Sequence, residues 1–288
     1  MRVGLVVHAG RPDSREAAGE AARLLDELDV EVVAAVGGSE GDLPDELSHL
    51  APQAPAAQVV AGLDLTISFG GDGTFLRAAH LCRDAGIPVL GVNLGRLGFL
   101  AEVERADLGP AMRAVAAGQW RVEERPTLTM EATGPDGEHL ASDWALNEVA
   151  VEKTVRQRLV LLDVHLDGTF FAQVPADALI LATATGSTAY ALSAGGPIVS
   201  PRVAATLVVP VAPHSLFDRT VLAGPGEVIR VELLEGQAEG LASCDGRPPI
   251  ALRPGAAVTV VGGGRPVLLA RVGLIDFPTL VRRKFGLR

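Results

Sequence analysis

Along the first third of the chain, short apolar runs alternate with stretches whose apolar residues recur at helical spacing. Val3–His8 reads as a buried strand, Ser14–Leu28 as an amphipathic helix rich in Ala, Glu and Leu, and Val30–Val36 as a second strand. Pro/Ala/Gln-rich sequence around Pro52–Ala57 reads as loosely ordered or helical. A strand over Leu63–Phe69, a helix from Thr74 to about Ala85 and a short strand over Pro88–Val92 follow, with Gly91, Gly95 and Gly98 breaking up what lies beyond. Strand–helix alternation of this kind predicts a parallel sheet with its ligand loops at the carboxyl ends of the strands.

After a helix near Leu108–Gln119 the texture changes. Short β-like runs dominate: Thr127–Ala132, Trp144–Val151, Leu159–Leu166, Phe170–Val174, Ala178–Ala182, Thr206–Val211, Val228–Leu233 and Ala257–Val261. Turn signals such as Gly134-Pro135-Asp136-Gly137 and Asp167-Gly168 separate them, as in hairpins. The expectation is an α/β domain over residues 1–119 and an all-β sandwich over 120–264. Residues 265–288, helical again over Asp276–Phe285, return to the first domain.

Composition narrows the class. In 288 residues no apolar run is long enough to span a bilayer, and the amino-terminal strand lacks the basic start and cleavage site of a signal peptide. A soluble cytoplasmic protein that meets no membrane is expected. Its two cysteines, Cys82 and Cys244, are expected to be reduced structural thiols. The net charge of −10 argues against a nucleic-acid partner but not against one anionic small molecule. The one basic cluster, Arg282-Arg283-Lys284, reads as a solvated helix face near a helix C-terminus.

The chemistry concentrates at Gly70-Gly71-Asp72-Gly73-Thr74, where an apolar strand ends in three glycines interrupted by one carboxylate. Such a turn brings backbone N–H groups and a helix N-terminus to one point, which suits phosphate oxygens. An aspartate amid those donors makes sense if it handles a proton or a metal ion. No P-loop, dinucleotide fingerprint, zinc-protease or nucleophile-elbow pattern is present. A second cluster, Thr183-Ala184-Thr185-Gly186-Ser187-Thr188-Ala189-Tyr190-Ala191-Leu192-Ser193, is a run of small hydroxylated residues around the chain's only tyrosine. Small side chains let a ligand approach the backbone, and Tyr190 suits packing beside a base; for any single hydroxyl, capping and core packing is the plainer role. Asn147-Glu148 sits inside the Trp144–Val151 strand pattern, where one of two adjacent polar residues faces the core unless a ligand or the strand's end accommodates it.

In this order the motifs closely resemble the NAD kinase family. The resemblance runs through Gly70-Gly71-Asp72-Gly73-Thr74, Leu97-Gly98-Phe99-Leu100, Leu146-Asn147-Glu148, Thr185–Tyr190, Ser193–Pro197, Pro213-His214-Ser215-Leu216 and Cys244-Asp245-Gly246. It implies an N-terminal α/β domain with a Rossmann-like parallel sheet and a C-terminal β-sandwich. The implied activity is phosphorylation of the 2′-hydroxyl of the adenosine ribose of NAD by ATP with Mg²⁺ or another divalent cation, in a homodimer or homotetramer. Asp72 is then the general base, and Gly70, Gly71, Gly73 and Thr74 cradle phosphate. Asn147, Glu148, Asp177, Thr188, Ala189, Tyr190, Ala191, Leu192, Ser193 and Ala212 hold the dinucleotide, with Arg158 and Arg247 lining the site. Arg77 is either a further anion contact or a surface arginine; His214 is either a ligand contact or a packed turn residue.

Three positions depart from the family pattern: Ala184 stands where a proline is usual, Ala178 where a glycine is, and Arg247 where many members carry a glutamine-like residue. The readings set beside the kinase are a non-catalytic NADP(H)-binding sensor and a lipid kinase sharing the glycine–aspartate turn.

Overall fold

The computed structural model describes residues 1–8, 10–36, 60–95, 98–216, 218–234, 238–273 and 276–288; Pro52–Ala57 and Leu97 lie outside them. In chain order the elements begin β1 (Arg2–Val7), α1 (Pro12–Asp26), β2 (Glu31–Val36), β3 (Leu65–Gly70), α2 (Asp72–Cys82), β4 (Val89–Asn93), β5 (Val103–Glu104), α3 (Leu108–Ala116) and β6 (Arg121–Arg125). There follow β7 (Leu128–Thr133), β8 (His139–Ala145), β9 (Glu148–Lys153), β10 (Val160–Leu166), β11 (Thr169–Ala176), β12 (Ala178–Thr183) and the single helical turn α4 (Tyr190–Ser193). The chain continues through β13 (Thr206–Val211), β14 (Val221–Ala223), β15 (Val228–Leu233), β16 (Gly240–Cys244), β17 (Ile250–Leu252), β18 (Ala257–Gly262), β19 (Val267–Arg271) and α5 (Phe277–Phe285).

Two compact units result: Met1–Glu124 with Val267–Arg288, and Arg125–Pro266. The first holds a seven-stranded sheet in the order β2-β1-β3-β4-β19-β6, with β5 paired to β4. β1 runs parallel to β2 and β3, and β4 parallel to β3, β5 and β19. Every residue of β3 is buried, as expected of a central parallel strand covered on both faces. Ala17, Ala18, Ala21, Ala22 and Leu25 of α1 pack with Leu108, Met112 and Val115 of α3 against Leu5, Ile67 and Val92. Strand order reverses at β1, so the carboxyl ends of β1 and β3 flank the crevice where such sheets take ligands.

The second unit is a pair of six-stranded sheets, β11-β10-β15-β18-β7-β8 and β14-β13-β12-β9-β16-β17. Alternation along β7, β10 and β16 points one face of each into the shared core, where Met130, Leu162 and Ala242 meet Leu179 and Leu181. β12 is buried throughout because its other face, Ile180 and Ala182, is covered by Ala184, Ala191 and Val199. The small-residue segment after β12 therefore lies over the outer face of β12 and β13.

Candidate active site

In the first unit, β3 ends at Gly70 and the helix opens two residues earlier than Thr74: Gly71 is the N-cap and Asp72 the first helical residue. Thr74 is buried in the first turn, its side chain lying where a Cβ on Gly70 would sit, and its N–H returns to the Gly71 carbonyl at 3.0 Å. Asp72 and Gly73 begin the first turn, and their N–H groups have no intrahelical acceptor. A Cβ built on Gly71 or Gly73 meets nothing within 4 Å, so these glycines border open space.

The Asp72 carboxylate is aimed by backbone. One oxygen accepts the Phe99 N–H at 2.9 Å and the other the Leu100 N–H at 3.1 Å. Gly98 makes this grip possible, because a Cβ there would overlap the carboxylate. Phe99 is itself held from α5: its ring lies 6.4 Å from that of Phe285, and the Lys284 ammonium sits 5.3 Å over it. The basic cluster thus occupies the last turn of α5 before the left-handed cap Gly286, as charge at a helix C-terminus should. Arg77 is exposed on α2.

In the second unit, Asn147-Glu148 does not lie inside one strand. The expected Trp144–Val151 strand is broken: β8 ends at Ala145 in one sheet and β9 begins at Glu148 in the other. Leu146 and Asn147 make the crossing, which is how two adjacent polar residues escape the sandwich core. The Asp245 carboxylate fixes it, accepting the N–H groups of Leu146 and Asn147 at 2.7 Å each and of Glu148 at 3.1 Å. Asp245 adopts a left-handed φ of 49° in the turn after β16. Burial holds its carboxyl above the usual range despite those three donors. Arg247 anchors the same turn, pairing with Asp143 at 3.0 Å, bonding the Trp144 carbonyl and lying 5.3 Å over the Trp144 ring.

The hydroxyl block packs onto this crossing. Thr183 Oγ1 donates to the Leu146 carbonyl at 2.6 Å and accepts the Gly186 N–H at 3.0 Å, and Gly186 lies against the Asn147 carbonyl where a Cβ would collide. Ser187 and Thr188 donate to the carbonyls of Ala184 and Thr185 at 2.7 and 3.1 Å. These hydroxyls are spent on shaping the loop, leaving Tyr190, half-buried Leu192 and exposed Ser193 at its surface. Ala184 is buried in the wall of an apolar cavity of about 180 Å³ that Leu128, Val203 and Pro225 also line.

Glu148, Tyr190 and Asp177 come together beside β9. The Glu148 carboxylate lies beside the Tyr190 backbone N–H, which favours its ionised form, and the Tyr190 hydroxyl donates to Glu152 Oε1 at 3.3 Å. Glu148 Oε2 is buried without a hydrogen-bond partner among the described residues. Burial, with Asp245 and Glu152 nearby, pushes Glu148 up to about 7. Asp177, just before β12, pairs with Lys153. Arg158 is exposed in the β9–β10 loop, and Ala212 follows β13 with a left-handed φ of 45°. His214 is exposed, its N–H bonded to the Pro175 carbonyl at 2.7 Å. Glu152 and the anchoring role of Asp245 were not singled out from the sequence. Glu152 carried one signal, its four-residue spacing from Glu148, which puts both on one strand face.

Comparison with known proteins decides the family. The chain is 41% identical over 287 residues to NAD kinase 2 of Streptomyces avermitilis, spanning 99% of this chain and 94% of that protein. The chain belongs to the NAD kinase family. It is a phosphotransferase of that family. Residues 3–120 match the ATP-NAD kinase N-terminal domain and residues 146–272 the ATP-NAD kinase C-terminal domain. NAD kinase of Rhodococcus erythropolis is 41% identical over 296 residues, covering 98% of this chain and 93% of that one. The crystal structure of yeast NADH kinase complexed with NADH superposes with a TM-score of 0.87 at 26% identity, covering 100% of this chain and 88% of the other. An NAD kinase from Archaeoglobus fulgidus in complex with ATP shares the fold at a TM-score of 0.73 and 23% identity, covering 100% and 98%.

Proposed function

We propose that this kinase moves the γ-phosphoryl group of ATP to the 2′-hydroxyl of the adenosine ribose of NAD, giving NADP and ADP. The observation that carries this reading is the Asp72 carboxylate, held by two backbone N–H groups at the head of α2 among donors left open by the helix start. As the ribose oxygen attacks the γ-phosphorus, its proton passes to Asp72, help worth roughly 10²–10⁴-fold. The N–H groups beside Gly71 and Gly73 take phosphate oxygens, with Arg77 an added cation, and in-line positioning supplies much of the remainder. Thr74, with its side chain turned inward and its N–H returned to the Gly71 carbonyl, shapes the phosphate cradle from within the first turn.

Asn147, Glu148 and Tyr190 recognise the dinucleotide, with Asp177, Thr188–Ser193 and Ala212 beside them. An amide and a carboxylate suit base edges and sugar hydroxyls. The unpartnered Glu148 oxygen supports that role, since a buried acceptor gains most from a ligand hydroxyl. Among the described residues no three His, Cys, Asp or Glu side chains converge on a cation. A kinase Mg²⁺ is held largely by phosphates, so the divalent cation arrives with ATP. No helix among the described residues is long and apolar enough to cross a membrane. The free buried thiols of Cys82 and Cys244 suit a reducing cytoplasm. Exposed Phe170 and Phe171 on the edge strand β11 support assembly with further copies of the chain.

The test is NADP formation measured with ATP, GTP and polyphosphate against both NAD and NADH. Wild type forms NADP with Mg-ATP, and Asp72→Asn lowers kcat by about 10²–10⁴ while calorimetry still detects NAD binding. Tight NADP binding with no turnover from any donor would replace this reading with that of a sensor.

A further inference from the structure

Tyr190 is tied to strand β9 through its phenol. Its phenol hydroxyl donates to Glu152 Oε1 at 3.3 Å, and Glu148 and Glu152 occupy the same face of β9. Tyr190 is 37% exposed, whereas its neighbour Ala191 turns inward against Ile180 and Val209. The hydroxyl contact fixes the phenol end of this exposed side chain to β9. Lys153, next along β9, is engaged by Asp177 and the Arg156 carbonyl, at 3.1 Å for the latter, so Glu152 is left to face the phenol.

We infer that Glu152 is a positioning residue for Tyr190, fixing the ring as a platform for the dinucleotide through its hydroxyl. The inference rests on the function proposed above and adds to it a residue that does not itself touch the substrate. Burial first, then the Glu152 charge, with Asp177 and Glu148 behind it, raise the phenol above its ordinary pKa, as an acceptor this close should.

Tyr190 is the only tyrosine in the chain, so a protein labelled with ¹³Cζ-tyrosine gives a single resonance reporting this contact. Glu152→Ala removes the acceptor, Glu152→Gln keeps an acceptor without the charge, and Tyr190→Phe removes the donor. Glu152→Ala and Tyr190→Phe should each raise KM for NAD about three- to tenfold, the scale of one ordinary hydrogen bond, with the loss carried by KM rather than kcat. The double variant should lose no more than either single one, and Glu152→Gln should recover most of the affinity. The resonance should shift in Glu152→Ala, and the phenol should titrate lower in both Glu152 variants. An unchanged KM, additive losses or an unmoved resonance overturns the inference while wild-type turnover leaves the proposed function standing. A wild type that neither binds nor phosphorylates NAD overturns the proposed function itself, and the resonance then still reads whether the Glu152 contact exists.

Discussion

Asp245 Oδ1 accepts the backbone N–H of Asn147 at 2.7 Å, joining the turn after β16 to the point where the chain crosses between the two sheets of the sandwich. With the bonds to Leu146 and Glu148, one carboxylate satisfies three consecutive N–H groups that belong to neither ladder. The residues read as dinucleotide ligands, Asn147 and Glu148, inherit their positions from this acid.

Asp245→Ala should therefore cost more than a typical surface change. Three part-buried donors lose their acceptor, and a left-handed φ is left to a residue that disfavours it. We expect a loss of roughly 2–4 kcal/mol in urea unfolding, accompanied by a higher KM for NAD. Asp245→Asn should lose less, because asparagine tolerates this φ and keeps one acceptor oxygen. A loss below about 1 kcal/mol for Asp245→Ala would mean that water serves these donors equally well.

Glu148 makes stability depend on pH in a defined direction. Its carboxyl titrates near the model-peptide value in the unfolded chain and near 7 when folded, so between these limits the folded state holds the extra proton. The unfolding free energy falls as pH rises through that window and levels above it. Glu148→Gln keeps the shape and polarity of the side chain and removes the charge, and with it the penalty. The variant should gain on wild type on going from pH 5 to pH 8, by on the order of 2 kcal/mol. Asp245, shifted upward as well, retains its own slope in both proteins. Parallel urea midpoints for the two proteins across that range would refute the assignment.

Gly71 and Gly98 should separate folding from catalysis in different ways. Gly71 has an ordinary φ of −100° and open space around it, so Gly71→Ala should fold with stability within about 0.5 kcal/mol of wild type. The added methyl occupies the expected path of phosphate, and KM for ATP should rise at least about tenfold. At Gly98 the methyl pushes on the Asp72 carboxylate instead, so kcat should fall about 10²-fold with little change in KM for ATP. Equal effects of both substitutions on KM and kcat would show that the two glycines do not divide the work this way.

The resemblance of the chain to the family was legible because its signals are local. Glycines flanking Asp72, a small-residue block around Tyr190 and the Asn147-Glu148 pair are sequence patterns, and helix or strand period followed directly from where apolar side chains recur. Strands β1, β3, β4, β10, β12, β13, β15 and β18 were readable for the same reason. Strands β6, β14, β16, β17 and β19 were not. They are short or carry polar and glycine neighbours, and pairing rather than propensity makes them strands. β19 in particular is a strand because it lies parallel to β4, with Leu269 beside Val89.

By itself the sequence determined the alternation of elements, the change from α/β to β texture, and the residue types available for phosphate, base and proton. Those depend on neighbours a few positions apart. Only the tertiary structure decided what holds those residues. Phe99 and Leu100 grip Asp72 from 27 and 28 positions away. Asp245 fixes Asn147 from 98 positions away, and Glu152 reaches Tyr190 across 38. A hydrogen bond depends on distance in space, and no local pattern encodes which distant N–H a given carboxylate will meet.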